Sequence, residues 1–288
     1  MEQKMLVRLN RYIDNMPSLS ITVAKVIEVV RNPQVTAKDL NKVISLDPVL
    51  MGRVLKLVNS AYYGLSNKVT SLVTAIVMLG INTIKNLALS TAVLANMKNK
   101  SQFKALNMDS FWRHSIGTGV AAKLVAGKLG IPQNLREEYF IGGLLHDIVK
   151  IPLNDVFQEE YLKVIRTSDM KKVPLFEIED QMLGINHTEV GRMISEKWKL
   201  SSETFDCILY HHDPHSAQQE DLKLVSAIYM ANSYCNLNEI GFSGDRYMGK
   251  MDMSILQNTG ITLEFLDNLF DTISEEIEKA SIFLHVTE

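Results

Sequence analysis

The chain has 288 residues, with 30 Lys and Arg against 33 Asp and Glu, for a formal net charge of −3. That balance argues against a general nucleic-acid binder, whose phosphate contacts call for a basic surplus. With 46% hydrophobic residues the chain can bury a substantial core, enough for one large domain or two of ordinary size.

No window approaches the roughly 18 apolar residues of a membrane span. The opening MEQKMLVRLN lacks the apolar run of a secretory signal. Cys207 and Cys235 lie in apolar helical patterns without paired spacing, so they read as small core residues in a reducing compartment. A cytoplasmic protein is expected, with no membrane partner. The 14 methionines fall mostly at helical core spacing and read as packing.

Apolar residues recur at three- and four-residue spacing along the chain, which predicts helices throughout. In Ile21 to Val30, Val23, Val26, Ile27 and Val30 line one face, and Asn32-Pro33 ends the segment. Thr36 caps the next helix, which carries Leu40, Val43 and Ile44. Asp47-Pro48 is a start signal, a capping carboxylate followed by proline at the first helical position. Ser71 opens a helix to Gly80, and Asn82 is expected to cap a long one reaching Met97. The polar stretch from Met97 to Asp109 reads as a connection, which suggests two parts, 1–100 and 101–288. Helical patterns follow at Phe111–Leu129, Leu135–Lys150, Asn154–Ser168, Leu175–Leu183, His187–Lys199, Ser202–His212, Leu222–Leu237 and Thr262–Leu284. The loop GFSGDRYMGKMD separates the last two. No alternating strand pattern, internal repeat or low-complexity tract is present, so the expected class is all-α.

The run from Asp47 to Gly64, DPVLMGRVLKLVNSAYYG, reads as a capped helix ending in a small-residue and aromatic corner. Asn59 and Ser60 can bond the free carbonyls at the helix end, and Tyr62 and Tyr63 can pack over it. No ligand is needed to explain these residues.

Six of the seven histidines fall between His114 and His215. His114 is followed by Gly117, Gly119, Ala121 and Ala122, which let another helix approach closely. His146 and Asp147 are adjacent near the end of YFIGGLLHDIVK. His187 opens a helix, and His211 and His212 end another. Helix bundles build buried metal centres in this way, from side chains on facing helices. Imidazoles with a carboxylate suit a divalent ion such as zinc, iron, manganese or nickel. Taken singly, each has a plainer reading. His114 fits a core histidine, His146-Asp147 a helix-end hydrogen bond, and His211-His212 a solvated helix end. His215 reads as surface and His285 as tail.

Several of these segments together resemble the HDOD domain, a signalling output module related to the HD phosphohydrolases. They are MPSLSITVAKVIEVV, DPVLMGRVLKLVNSAYYG, TAIVMLGINTIKNLAL, FWRHS, GGLLHDIVK and HTEVG. The resemblance implies an all-α bundle acting in bacterial signal transduction. Within the superfamily, the histidine pattern is similar to the HD-GYP cyclic-dinucleotide phosphodiesterases. That likeness implies metal-ligand positions at His114, His146, Asp147, His187, His211 and His212. It also implies a phosphate-neutralising role for Lys150, so Asp147 and Lys150 are the candidate catalytic residues. The sequence departs from the pattern twice. Asn232 stands where such enzymes carry an aspartate, and HHDPHSAQQED has no GYP tripeptide. Two readings follow. One is a regulatory module that binds a protein partner or a nucleotide and has little or no catalysis. The other is a metal-dependent phosphohydrolase acting on a nucleotide or cyclic dinucleotide. The two departures favour the first.

Overall fold

The computed structural model describes residues 2–97 and 105–286. Helix starts follow local capping chemistry. Ser20 accepts from the Val23 amide at 3.3 Å and opens α2 (Ile21–Val30). Thr36 and Asp39 form a reciprocal capping box on α3 (Ala37–Ile44). Asp47 accepts from the Leu50 amide at 2.9 Å and Pro48 takes the first position of α4 (Pro48–Val58). Each such cap satisfies otherwise orphaned amides and is worth about 1 kcal/mol.

Before these lies α1 (Glu2–Asn15), and after them α5 (Leu72–Leu79) and α6 (Ile81–Met97). The sequence reading offered no helix at the N-terminus. It also placed Asn82 as the cap of α6, but that helix starts at Ile81, with the Ile84 amide bonded to the Gly80 carbonyl at 3.3 Å. Gly80 adopts φ +89°, a left-handed turn that lets α6 begin at once after α5. Part of the polar connection, residues 98–104, lies outside the described residues.

The chain continues with α7 (Met108–Lys128), capped by Asn107, and α8 (Arg136–Leu145). Then come α9 (Lys150–Val156), α10 (Gln158–Lys171), α11 (Leu175–Leu183), α12 (His187–Trp198), α13 (Ser202–Tyr210) and α14 (Leu222–Leu237). The chain ends in α15 (Met253–Thr259), α16 (Leu263–Asp267), α17 (Phe270–Ala280) and α18 (Ile282–His285). The expected Thr262–Leu284 helix is thus three shorter ones, and α15 follows the loop of residues 241–252 in a stretch where no helix is expected. Among the described residues there is no strand, and the fold is all-α. No single described helix is long and apolar enough to cross a membrane. The helices α5 and α6 pass that test only as a pair bent by 117°, and most of α6 is buried within the fold.

Buried α7 packs on α8, α14 and α17. The α7–α8 crossing is close because it is made of glycine. A Cβ on Gly143 would lie 2.7 Å from the Gly119 Cα, and one on Gly119 would lie 2.6 Å from the Phe140 carbonyl oxygen. The core is continuous from Met5 to Val286, across both parts. The aromatic corner joins them. Asn59 donates to the Leu55 and Val69 carbonyls, both at 2.8 Å, and accepts from the Val69 amide at 2.7 Å. Ser60 donates to the Leu57 carbonyl at 2.6 Å. Tyr62 packs on Phe140 and Phe283, and its hydroxyl accepts from Lys123, which also pairs with buried Glu137 at 2.9 Å.

Candidate metal centre

The sequence reading continued one helix through Lys150. Instead, α8 ends at Leu145 and a tight turn carries His146 and Asp147. His146 Nδ1 donates to the Gly143 carbonyl at 2.6 Å, a carbonyl that a continuing helix would use for its own ladder. The following amides bond three residues back, Ile148 to Leu145 at 3.1 Å and Lys150 to Asp147 at 2.9 Å. This tightening turns both side chains inward.

His114 comes from α7, His146 and Asp147 from the turn after α8, His187 from the first residue of α12, and His211 and His212 from the end of α13. All but His212 are fully buried. The structure brings all six together. Two groups have ligand atoms within 4.8 Å of one another, His114–His146–Asp147 and His187–His211–His212. The His146 and His211 ring centroids are 4.9 Å apart. Asp147 stands between the groups. Its Oδ2 lies 3.3 Å from His146 Nε2, and its Oδ1 lies 3.5 Å from both His187 Nε2 and His211 Nε2.

The tautomers follow from the outer partners. His187 Nδ1 meets Glu179 Oε2 at 2.6 Å, and His211 Nδ1 meets the Ile208 carbonyl at 2.9 Å. A carbonyl or ionised carboxylate only accepts, so in the neutral rings these Nδ1 atoms carry the hydrogen and Nε2 presents a lone pair. The same holds for His146. Yet His187 Nε2 and His211 Nε2 are 3.3 Å apart. Two lone pairs at that distance repel unless a cation lies near both. His146 Nε2 and Asp147 Oδ1 are buried with no hydrogen-bond partner, which is costly in an interior. The donor set therefore fits a divalent ion, with the outer bonds orienting the ligands as metal-binding histidines require. Tyr161 bonds Glu179 at 2.7 Å and completes that support.

Electrostatics agree. Burial drives His114 down to about 3 and His211 down to about 4, and it drives His212 well below its ordinary value, so these rings stay neutral near pH 7. Burial alone would raise Asp147, but neighbouring His146 and Lys150 outweigh it and hold the carboxyl well below its usual range.

Two residues behave differently from the rest. His114 Nε2 lies 3.0 Å from Asn232 Oδ1, which also accepts from Asn236 at 2.8 Å. Lys150 is as buried as the histidines. Its Nζ donates to Asp147 Oδ2 at 2.8 Å and reaches Ser243 Oγ at 3.5 Å. His215 is surface and pairs with Asp252 at 3.0 Å.

Sequence reasoning missed Glu179, Ser243 and Asp245. Glu179 interrupts the apolar stripe Leu175, Ile178, Leu183 and is buried, a detectable signal of a carboxylate facing the interior. Asp245 is buried in an irregular loop, where no periodicity reports on direction. Burial raises it to about 6, against the pull of Lys150.

The bundle sets a histidine–aspartate cluster at the crossing of its central helices. The HDOD domain profile matches residues 16–214, and the chain belongs to the HDOD domain family. An uncharacterized protein of Treponema pallidum (strain Nichols) is 26% identical over 220 residues, which is 76% of this chain and 42% of that protein. The chain therefore spans less than half the length of that relative. An HDOD domain protein of Geobacter sulfurreducens is similar in structure, with 23% identity, 98% of each chain covered and a TM-score of 0.74. So is a candidate phosphohydrolase of Shewanella amazonensis, with 24% identity, 96% of this chain and 98% of that one covered, and a TM-score of 0.69. At these identities the likeness defines the fold.

Proposed function

We propose that this chain is a cytoplasmic regulatory module of signal transduction that acts by binding a partner protein, and that its HD-type centre holds a divalent ion with little or no phosphodiester hydrolysis. His146, Asp147, His187, His211 and His212 would hold iron, manganese, zinc or nickel, with His114 at the edge of the set. A bound ion would supply Lewis acidity toward a phosphoryl oxygen. The observation that carries the low-turnover reading is the Asn232 amide at 3.0 Å from His114 Nε2. Its oxygen is neutral and already accepts two hydrogen bonds, so the centre lacks one anionic donor on that side. Lys150 is spent on Asp147 rather than open to a substrate phosphate.

The partner-binding reading is supported by the N-terminal half. Leu46, Val49, Val77 and Met78 are 77%, 62%, 73% and 52% exposed, and they lie on or beside the mutually packed α3, α4 and α5. Exposed apolar side chains gathered on neighbouring elements are characteristic of interaction surfaces. A second reading, a nucleotide or cyclic-dinucleotide phosphohydrolase, draws on the crowded donor set alone.

The test is turnover of cyclic di-GMP and a simple phosphodiester, with manganese, iron, nickel and zinc supplied in turn. The expected rate is far below the enzyme range. Metal-dependent turnover of about 1 per second or faster would make the phosphohydrolase reading the better one.

A further inference from the structure

Residues 1–97 carry 11 Lys and Arg against 5 Asp and Glu, and the remaining residues carry 19 against 28. The near-neutral total thus conceals a basic N-terminal stretch. Within it, α2 has two faces. Val23, Val26 and Ile27 are buried, while Ile21, Ala24, Lys25, Glu28 and, just past the helix end, Arg31 recur at helical spacing and are exposed. Ile21 is 87% exposed, a large apolar side chain left to solvent at the first position of the helix.

This outer face borders a cavity of about 620 Å³, closed on its far side by the end of α12. Leu19, Ile21, Ala24, Ile27 and Trp198 give the cavity an apolar wall, and Lys25, Arg31, Lys197 and Lys199 stand around it against the one carboxylate of Glu28. A second cavity of about 290 Å³ shares Ile27 and Arg31 with the first and extends the recess to Ser202 and Glu203. Trp198 is fixed in the wall by its indole N–H, which donates to the Pro17 carbonyl at 3.0 Å. Lys197 donates to the Ile13 and Asp14 carbonyls, and Lys85, in the second cavity, pairs with Glu138 at 3.3 Å. The side chains of Lys25, Arg31 and Lys199 make no hydrogen bond or ion pair with any described residue. Lys199 also holds a left-handed conformation, φ 52°. Its amide donates to the Glu196 carbonyl at 3.2 Å, and the Leu200 amide donates to the Ser195 carbonyl at 3.0 Å, a helix ending that ordinarily takes glycine at this position. The local backbone therefore has no need of a lysine there.

We propose that the recess between α2 and the end of α12 docks an acidic segment of a partner protein, with apolar side chains of that segment on Ile21 and Ala24 and its carboxylates at Lys25, Arg31 and Lys199. The three unpartnered cations call for an anionic occupant. The shape decides which kind. A bilayer is met by a face that lies flat on it, and a nucleic-acid backbone by basic side chains without an apolar floor. An apolar recess rimmed with cations suits a peptide in which apolar anchors and carboxylates are interleaved. The rim charges then act mainly on the association rate and its salt dependence, and the apolar contacts on residence time. None of these residues belongs to the exposed apolar set of α3, α4 and α5 or to the metal centre, so the inference goes beyond the proposed function and stands or falls apart from it.

The experiment is selection of a random peptide display library on the full chain, followed by fluorescence anisotropy of the enriched peptides. Enrichment of Asp and Glu together with apolar residues is expected, with affinity falling as salt is raised. Ile21→Ser is expected to weaken binding about 10-fold by removing a large apolar contact. Lys25→Ala combined with Arg31→Ala is expected to weaken it about 10-fold at low salt and little at high salt. Lys199→Gly separates binding from folding. Glycine suits the left-handed position better, so this variant is expected to melt at or above the unmodified protein while binding the peptides about 3-fold more weakly. Phosphatidylglycerol vesicles, a single-stranded oligonucleotide and, by sedimentation, a second copy of the chain are tested as rival occupants. The proposal is overturned if no peptide is enriched, if the enriched peptides lack acidic residues, or if they bind all the variants as well as the unmodified protein. It is equally overturned if a rival occupant binds more tightly than the peptides and loses that binding in Ile21→Ser and Lys199→Gly.

Discussion

His114 Nε2 sits 3.0 Å from the Oδ1 of Asn232, so a ring at the edge of the candidate centre is held by an amide from α14. The amide oxygen accepts a hydrogen bond from His114 and thereby fixes the Nε2–H tautomer, which turns that nitrogen away from metal ligation. Asn232→Asp replaces a neutral acceptor with an anion within reach of His114. The variant is expected to bind a second equivalent of manganese or zinc at least about 10-fold more tightly than the unmodified protein. Metal analysis after dialysis, on protein made without a histidine tag, reads this directly. Equal stoichiometry and affinity in the two proteins would remove Asn232 as the carrier of the proposed low turnover.

Much of this centre was legible before any coordinates. The six donors come from four separate segments, with small residues beside His114, and the glycine crossing at Gly119 and Gly143 makes the convergence possible. What was hidden has physical causes. The break after Leu145 depends on a side chain taking a backbone carbonyl, which periodicity does not encode. Asp245 lies in an irregular segment where neighbouring residues carry no facing rule. The amphipathic α1 is not among the expected helices, although Met5, Leu9, Ile13 and Met16 repeat at helical spacing and are buried.

Glu179 orients His187 through two contacts and is itself held by a third. It accepts from Nδ1 at 2.6 Å, from the His187 amide at 2.8 Å and from Tyr161 at 2.7 Å. Glu179→Gln keeps the shape but loses the charged acceptor. Metal affinity is expected to fall about 10- to 100-fold, the usual range for losing an outer partner of a ligating histidine. Competition against a chromophoric chelator measures it. An unchanged affinity would mean that His187 is not a ligand.

The α7–α8 crossing sets how near His146 comes to His114. In Gly143→Ala the new methyl would lie 2.7 Å from both the Cα and the amide nitrogen of Gly119. Backbone cannot yield as a flexible side chain does, so helices must separate. A loss of about 2–4 kcal/mol is expected, read by urea unfolding. Gly52→Ala, at a helical position with nothing within 4 Å of the added carbon, serves as the tolerated control.

Asp221 gives a pH dependence whose sign is fixed by its surroundings. It stands at the start of α14, is buried, and has an Oδ2 with no hydrogen-bond partner. Burial, with Glu203, Asp206, Glu220 and Glu138 nearby, pushes it up from 3.8 to about 6. The folded state therefore binds the proton more tightly than the unfolded chain. Below about pH 3.8 both states are protonated and the group contributes nothing. As pH rises from there to about 6, folding progressively loses stability, and above 6 the cost is constant. Asp221→Asn removes this cost. The variant is expected to melt above the unmodified protein at pH 8 and to match it near pH 4. Melting curves across pH 4 to 8 decide the matter, and a difference that is the same at both ends would assign the effect to packing rather than to the charge.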